Sequence, residues 1–165
     1  MTSSPDRLRL ALYQPDIAQN AGAMLRTCAC FGVGAAIIGP AGFPSGDRHF
    51  RRAGMDYLDH VAIARHDSWR AFEEWRSDNG RRLVLLTTQG ALAHWDFAFA
   101  VGDVILVGRE SAGVPDEVHQ AADARLRIAI RPAMRSLNVS VAAGIALSEA
   151  IRQIGRAAPD AGGLL

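Results

Sequence analysis

An open α/β sheet, mainly parallel and covered by helices on both faces, is the fold class that this sequence predicts. Three observations predict it. Residues 83–88 and 104–108 are aliphatic runs, as in parallel strands buried on both faces. Strand-like segments alternate with helix-like ones along the chain, the pattern of consecutive βα units. The 165 residues suffice to bury roughly 70% of the unfolded surface around one core. The chain therefore reads as one domain over residues 1–165, with a core of about 8–155 between short flexible tails.

The elements follow in order. Residues 8–13 alternate Leu-Arg-Leu-Ala-Leu-Tyr and stop before Pro15, which marks a strand. Residues 18–31 keep helical spacing and end at Gly32 and Gly34. Residues 35–40 form a short apolar strand closed by a turn, 44–52 a polar loop, and 61–64 a strand. Asp67 or Ser68 caps a helix that ends near Asn79-Gly80. Its Trp69, Phe72 and Trp75 recur at i, i+3, i+6 and so face the core. The runs 83–88 and 104–108 come next, then a last strand over 126–130 and a last helix over 136–154. Residues 157–165 are a Gly/Ala/Pro tail expected to fray. Ligands of such sheets bind outside the carboxyl ends of the strands.

Composition limits the partners. Hydrophobic residues make up 49% and charged residues 21%, as in ordinary globular domains. No apolar run reaches the ~18 residues of a membrane span. The stretch Met1-Thr2-Ser3-Ser4-Pro5-Asp6-Arg7 has no apolar core of a signal peptide. A cytoplasmic protein with no membrane partner is expected. The formal charge of +1 excludes a generically basic nucleic-acid binder, so any RNA must be met by a local patch. All 18 basic residues are arginine, a planar fork suited to phosphate. Cys28 and Cys30 stand two apart in a helix, on different faces, and are expected as free thiols with at least one packed. The five histidines show no ligand spacing, so no metal is expected.

Four constellations could carry chemistry. Asn20 lies in the first turn of the first helix, and Gly22 and Arg26, four apart, share a face. A glycine inside a helix costs stability unless something must approach closely. An arginine beside it could grip a phosphate or ribose, or simply sit on an amphipathic surface. Gly108-Arg109-Glu110-Ser111-Ala112-Gly113-Val114-Pro115 takes a strand straight into a turn with a carboxylate between two glycines. It carries neither dinucleotide nor Walker spacing and could be an ordinary βα loop. In Arg135-Ser136-Leu137-Asn138-Val139-Ser140, Ser136 is a candidate N-cap. Asn138 and Ser140 would then occupy the first turn, whose free N–H groups favour anions. Asp47-Arg48-His49-Phe50-Arg51-Arg52 gathers three arginines, a histidine and an aromatic. It is either an RNA-backbone contact or a solvated charge cluster.

In this order and spacing, the motifs at 20–26, 108–115 and 136–140 resemble those of SPOUT-class, S-adenosylmethionine-dependent RNA methyltransferases. Arg51-Arg52-Ala53-Gly54-Met55-Asp56-Tyr57 and Leu86-Thr87-Thr88-Gln89-Gly90 add support. The chain looks most like the short, single-domain tRNA 2′-O-methyltransferases of the wobble position, over about residues 8–155. The resemblance implies an α/β fold with a C-terminal trefoil knot, which periodicity cannot reveal. It implies a homodimer joined through the C-terminal helix, binding the tRNA anticodon region, with S-adenosylmethionine as methyl donor and no metal. It further implies that Leu86, Gly108, Ile128 and Ser136 hold the cofactor. Arg26 would act near the target ribose, and Asn20, Glu110 and Asn138 would order the site. No histidine or carboxylate stands out as a base. Arg26, permanently charged, would then stabilise the developing alkoxide rather than accept its proton.

The sequence departs from that pattern at Leu137, Ala112, Ala129 and Ser148, where the family often carries methionine, arginine, proline and tyrosine. None of these is a residue given a chemical role above. Two other readings compete: methylation at another tRNA or ribosomal RNA position, and a non-catalytic RNA-binding module on the same fold. The first is countered by the absence of an added RNA-binding extension, the second by the presence of Asn20, Arg26 and Asn138. A flavodoxin-type protein is disfavoured because no phosphate-loop signature follows the first strand.

Overall fold

The computed structural model describes residues 7–155, so the expected C-terminal tail lies outside the described residues. The elements in chain order are β1 (Arg9–Tyr13), α1 (Ala18–Phe31), β2 (Gly34–Ile38), α2 (Arg48–Gly54), a 3₁₀ segment (Met55–His60), β3 (Ile63–His66) and α3 (Trp69–Asp78). They continue with β4 (Leu83–Leu86), β5 (Leu92–Ala93), a 3₁₀ turn (His94–Asp96), β6 (Val104–Val107), α4 (Asp116–Ala121), β7 (Ala124–Arg127) and α5 (Val139–Ile154). The strands form one seven-stranded sheet in the order β3-β2-β1-β6-β4-β7-β5. All six pairings between these strands are parallel. β6 inserts between β1 and β4, and β7 between β4 and β5, so the chain returns twice between strands laid down earlier.

Both faces of the sheet are covered, as the aliphatic runs predict. Alternation along β1 sends Leu10 and Leu12 to one side and Ala11 and Tyr13 to the other. The first side packs on α1 through Ala21, Met24, Leu25 and Cys28, and on α5 through Ala143, Ala146, Leu147 and Ala150. The second side packs on α3 and α4 through Phe72 and Val118. Phe72 is fully buried, while Trp69 and Trp75 are half-buried and stack on it at 5.5 and 5.8 Å. Of the expected aromatic stripe, only its central member is wholly core. Cys28 is buried and its thiol is pushed up to about 12 by burial, whereas Cys30 is exposed.

Four local expectations are corrected. The stretch expected as a polar loop contains α2, because the Asp47 carboxylate accepts hydrogen bonds from the His49 and Phe50 amides at 2.8 and 3.2 Å. Phe50 anchors that helix in the core. The third strand runs later, over Ile63–His66, in register with β2. The last strand runs earlier, ending at Arg127, so that Ile128 and Ile130 leave the sheet. The last helix begins at Val139, not 136. Asn138 caps it by accepting from the Ser140 amide at 2.9 Å, so Ser136 stands outside the helix. β5 has only two residues, too short for a periodicity to register.

Gly22 shows why a glycine sits inside α1. A Cβ there would lie 2.5 Å from the Phe50 carbonyl oxygen and 2.7 Å from Ala53 Cβ. The close neighbour is the backbone of α2.

Candidate active site

The carboxyl ends of β1, β6, β4 and β7 open on one cavity of about 820 Å³. Its walls come from three segments, 86–89, 107–114 and 127–139, with Asn20 from the first turn of α1. Leu86, Gly108, Ile128 and Ser136, the four residues expected around the cofactor, all line it. So do Asn20, Glu110 and Asn138. Arg26 is not among the lining residues; it lies two turns further along α1, exposed.

Each segment is held by backbone geometry. Gly108 directly follows β6, and a Cβ there would lie 2.7 Å from the carbonyl carbon of Gly113. Gly113 has a φ of +61°, which favours glycine. The turn between them closes through two hydrogen bonds: Arg109 N–H to Gly113 O at 3.0 Å, and Gly113 N–H to Arg109 O at 2.8 Å. Gly90 is packed as tightly, since a Cβ there would lie 2.4 Å from the Leu126 carbonyl carbon. The Arg127 guanidinium then donates to the Gly90 and Ala91 carbonyls at 2.9 and 2.7 Å, tying the 87–91 loop to β7.

The polar residues form a continuous chain. Asn20 Nδ2 donates to Glu110 Oε1 at 3.2 Å, and Asn138 Nδ2 donates to Asn20 Oδ1 at 3.0 Å. Asn138 Oδ1 accepts from the Ser140 amide and hydroxyl at 2.9 and 2.5 Å. Three segments remote in sequence are thus linked: the first turn of α1, the turn after β6 and the cap of α5.

The chain extends to two residues, Asp16 and Ser111, to which the motif reading gives no role. Asp16 Oδ1 accepts from the Glu110 amide at 3.2 Å, and Asp16 Oδ2 accepts from the Ser111 hydroxyl. The signal was available: Asp16 follows Pro15 just past the carboxyl end of β1, where ligands of such sheets bind. Contact with the Glu110 carboxyl, followed by the Ser111 hydroxyl and the Glu110 amide, holds the Asp16 carboxyl down at about 2. Burial first, and Asp16 second, pushes Glu110 upward. The signs are opposite. The contribution of Asp16 to stability is present above the ordinary carboxylate range and lost as pH falls through about 2. That of Glu110 is present below its unfolded pKa and lost as pH rises through its raised one.

Replacing Asp16 with alanine strips the 109–113 turn of two hydrogen bonds. A loss of about 1–2 kcal/mol in unfolding free energy is expected, read by urea denaturation. Ligand affinity at the cavity should fall with it. An unchanged denaturation midpoint would mean that Asp16 does not hold the turn.

The cavity suits a ligand with both apolar and anionic parts. Leu86, Ile128, Ile130 and Leu137 give it apolar wall, and Arg109, Arg127, Arg131 and Arg135 give it cations against the single carboxylate of Glu110. Of the departures from the family pattern, Leu137 and Ala112 line the cavity. Ala129 lies just beyond β7, and Ser148 is exposed on α5.

Comparison with known proteins supplies the remaining findings. Residues 7–148 match the model described as SpoU rRNA Methylase family. The chain is 64% identical over 146 residues to a protein of Beijerinckia indica named tRNA (cytidine(34)-2′-O)-methyltransferase, covering 88% of this chain and 91% of that one. A solved structure described as "Structural insights into the 2-OH methylation of C/U34 on tRNA" superposes with a TM-score of 0.85 at 41% identity, covering 90% of this chain and 97% of that one. The SpoU methyltransferase AviRb from Streptomyces viridochromogenes, in complex with the cofactor AdoMet, superposes with a TM-score of 0.83 at 25% identity, covering 90% of this chain and 60% of that one.

Proposed function

The chain belongs to the SpoU rRNA Methylase family, and on that footing we propose that it transfers a methyl group from S-adenosylmethionine to the ribose 2′-hydroxyl of the wobble nucleotide, cytidine or uridine 34, of tRNA. One observation carries this reading. The cavity at the strand ends is walled by the expected cofactor residues and edged by the hydrogen-bonded chain Asp16, Glu110, Asn20, Asn138.

The residues present fit S-adenosylmethionine. Leu86, Ile128 and Leu137 would offer apolar surface to an adenine ring, Gly108 and Ser136 line the same wall, and arginine would be available to an amino-acid carboxylate. When bound, S-adenosylmethionine would supply a methyl group on a sulfonium, the C–S bond breaking as the C–O bond to the 2′-oxygen forms, with S-adenosylhomocysteine as leaving group and the hydroxyl proton lost to solvent. The protein contributes alignment, worth about 7 kcal/mol of barrier at best. Asn20, Glu110 and Asn138 hold the two walls of the cavity in fixed relation. Arg26 stabilises the alkoxide that develops on the 2′-oxygen. It stands on the exposed side of α1, where a bulky RNA has access.

The finer parts of the reading belong together. A C-terminal trefoil knot is supported by the late insertion of β6 and β7 and by the three segments that wall one cavity. A homodimer through α5 is supported by apolar Val141 and Met134, 50% and 59% exposed on and before that helix. The anticodon region as RNA partner is supported by the exposed Arg48, Arg51 and Arg52 of α2. A cytoplasmic place of action is supported by the tRNA substrate.

The test incubates the purified protein with labelled S-adenosylmethionine and tRNA lacking ribose methylation, then maps the label by nuclease digestion and mass spectrometry. Label on 2′-O-methylcytidine or 2′-O-methyluridine at position 34 is expected. Label elsewhere would overturn the position and keep the chemistry. No label from the whole tRNA pool, with cofactor binding intact, would make the protein an RNA-binding module.

A further inference from the structure

Arg26 is an exposed arginine with an ordered setting. Its Cζ lies 4.6 Å from the centroid of the Tyr57 ring, within the range of a cation–π contact. Its Nη1 donates to the thioether sulfur of Met55 at 3.5 Å. No carboxylate pairs with it among the described residues. An exposed arginine on a helix ordinarily sweeps many rotamers. Here a ring face and a sulfur hold the guanidinium and leave its charge uncompensated.

The backbone that delivers these two residues is itself unusual. Met55 has φ +51° and ψ −146°, a region that side chains with a Cβ rarely adopt. Met55 is 55% exposed, so no demand of the core explains this conformation. Strain of this kind persists only where the surrounding structure enforces it, and it gathers at functional sites. At Met55 the chain leaves α2, and its amide still donates to the Arg51 carbonyl. The turn there brings both Met55 and Tyr57 back to α1. Gly22, one helical turn before Arg26, lets α2 approach closely enough for this to happen.

We infer that Met55 and Tyr57 form a clamp that fixes the guanidinium of Arg26 toward the RNA-facing surface, with Tyr57 the principal positioning residue. The inference rests on the role given to Arg26 above. It assigns a function to the strained turn and to the segment that carries it.

The experiment combines steady-state kinetics with side-chain NMR on Tyr57→Leu, Tyr57→Phe and Met55→Gly. The Arg26 Nε–Hε signal is identified by its absence in Arg26→Lys. For Tyr57→Leu, kcat is expected to fall about tenfold with the KM for tRNA little changed, and the Arg26 signal to become mobile. Tyr57→Phe, which keeps a ring face, should recover most of kcat and of the order. Met55→Gly should raise the melting temperature, since glycine adopts that backbone freely, while loosening Arg26 and lowering kcat. A raised KM for tRNA at unchanged kcat in Tyr57→Leu would make Tyr57 a plain RNA contact and overturn the clamp. So would an Arg26 signal equally ordered in all variants. If the unaltered protein methylates no tRNA yet Arg26 loses order in Tyr57→Leu, the clamp stands and the assigned reaction fails.

Discussion

Gly108→Ala is expected to weaken cofactor binding at least a hundredfold and to lower stability by about 3–5 kcal/mol. The added Cβ would lie 2.7 Å from the Gly113 carbonyl carbon and 2.9 Å from its Cα, both backbone atoms that no rotamer change can move aside. Relief requires Gly113 to retreat. Retreat breaks the paired hydrogen bonds between Arg109 and Gly113, of 3.0 and 2.8 Å, which close the turn. Forced overpacking costs about 1–3 kcal/mol, and each lost hydrogen bond about 1 kcal/mol. The damage does not stay local. Glu110 sits inside this turn, so its movement strains the bonds to Asp16 and Asn20 and, through Asn20, the cap of α5 at Asn138. The whole cavity edge is then misplaced, and a loss of at least a hundredfold in S-adenosylmethionine affinity is expected. Isothermal titration with the cofactor and urea denaturation read the two effects separately. Wild-type affinity in a folded Gly108→Ala protein would mean that the turn is not closed in solution.

The reach of the sequence reading can be judged on the same residues. The parallel sheet was legible because residues 83–86 and 104–107, the hearts of the two runs, are aliphatic throughout, and only a strand covered on both faces tolerates that. Gly22 was legible as a close approach, because a glycine in mid-helix needs a reason. What approaches it, the carbonyl of Phe50, was not legible. α2 was hidden because its seven residues include four arginines and histidines, and a single cap at Asp47 decides its fold. The α5 boundary was misplaced by three residues because Ser136 and Asn138 are both good caps and only tertiary contact chooses between them. Asn138 is chosen since its Nδ2 also reaches Asn20, 118 residues away in sequence. The four expected cofactor residues and three of the four expected site residues do meet at one cavity. That convergence came from matching motifs, because no period or propensity encodes it. Asp16 received no role from the sequence since its part depends on a turn 94 residues downstream.

Arg26→Ala should leave fold and cofactor affinity nearly intact while lowering kcat by about 10²–10³-fold, the range for removal of one transition-state donor. Arg26 is exposed and absent from the cavity wall, so stability should change by no more than about 0.5 kcal/mol. The separation is the informative part. A residue that merely bound tRNA would raise KM, and a residue that shaped the cofactor site would weaken S-adenosylmethionine binding. A residue whose interaction strengthens as charge develops on the 2′-oxygen lowers kcat and kcat/KM together. Arg26→Lys divides the effect further. It keeps the charge but replaces a planar fork by a compact ammonium, which cannot lie flat on Tyr57 while directing donors outward. Partial activity, above alanine and well below arginine, is expected. Full activity of the lysine variant would show that charge alone suffices and that the oriented fork held between Tyr57 and Met55 has no part in the methyl transfer.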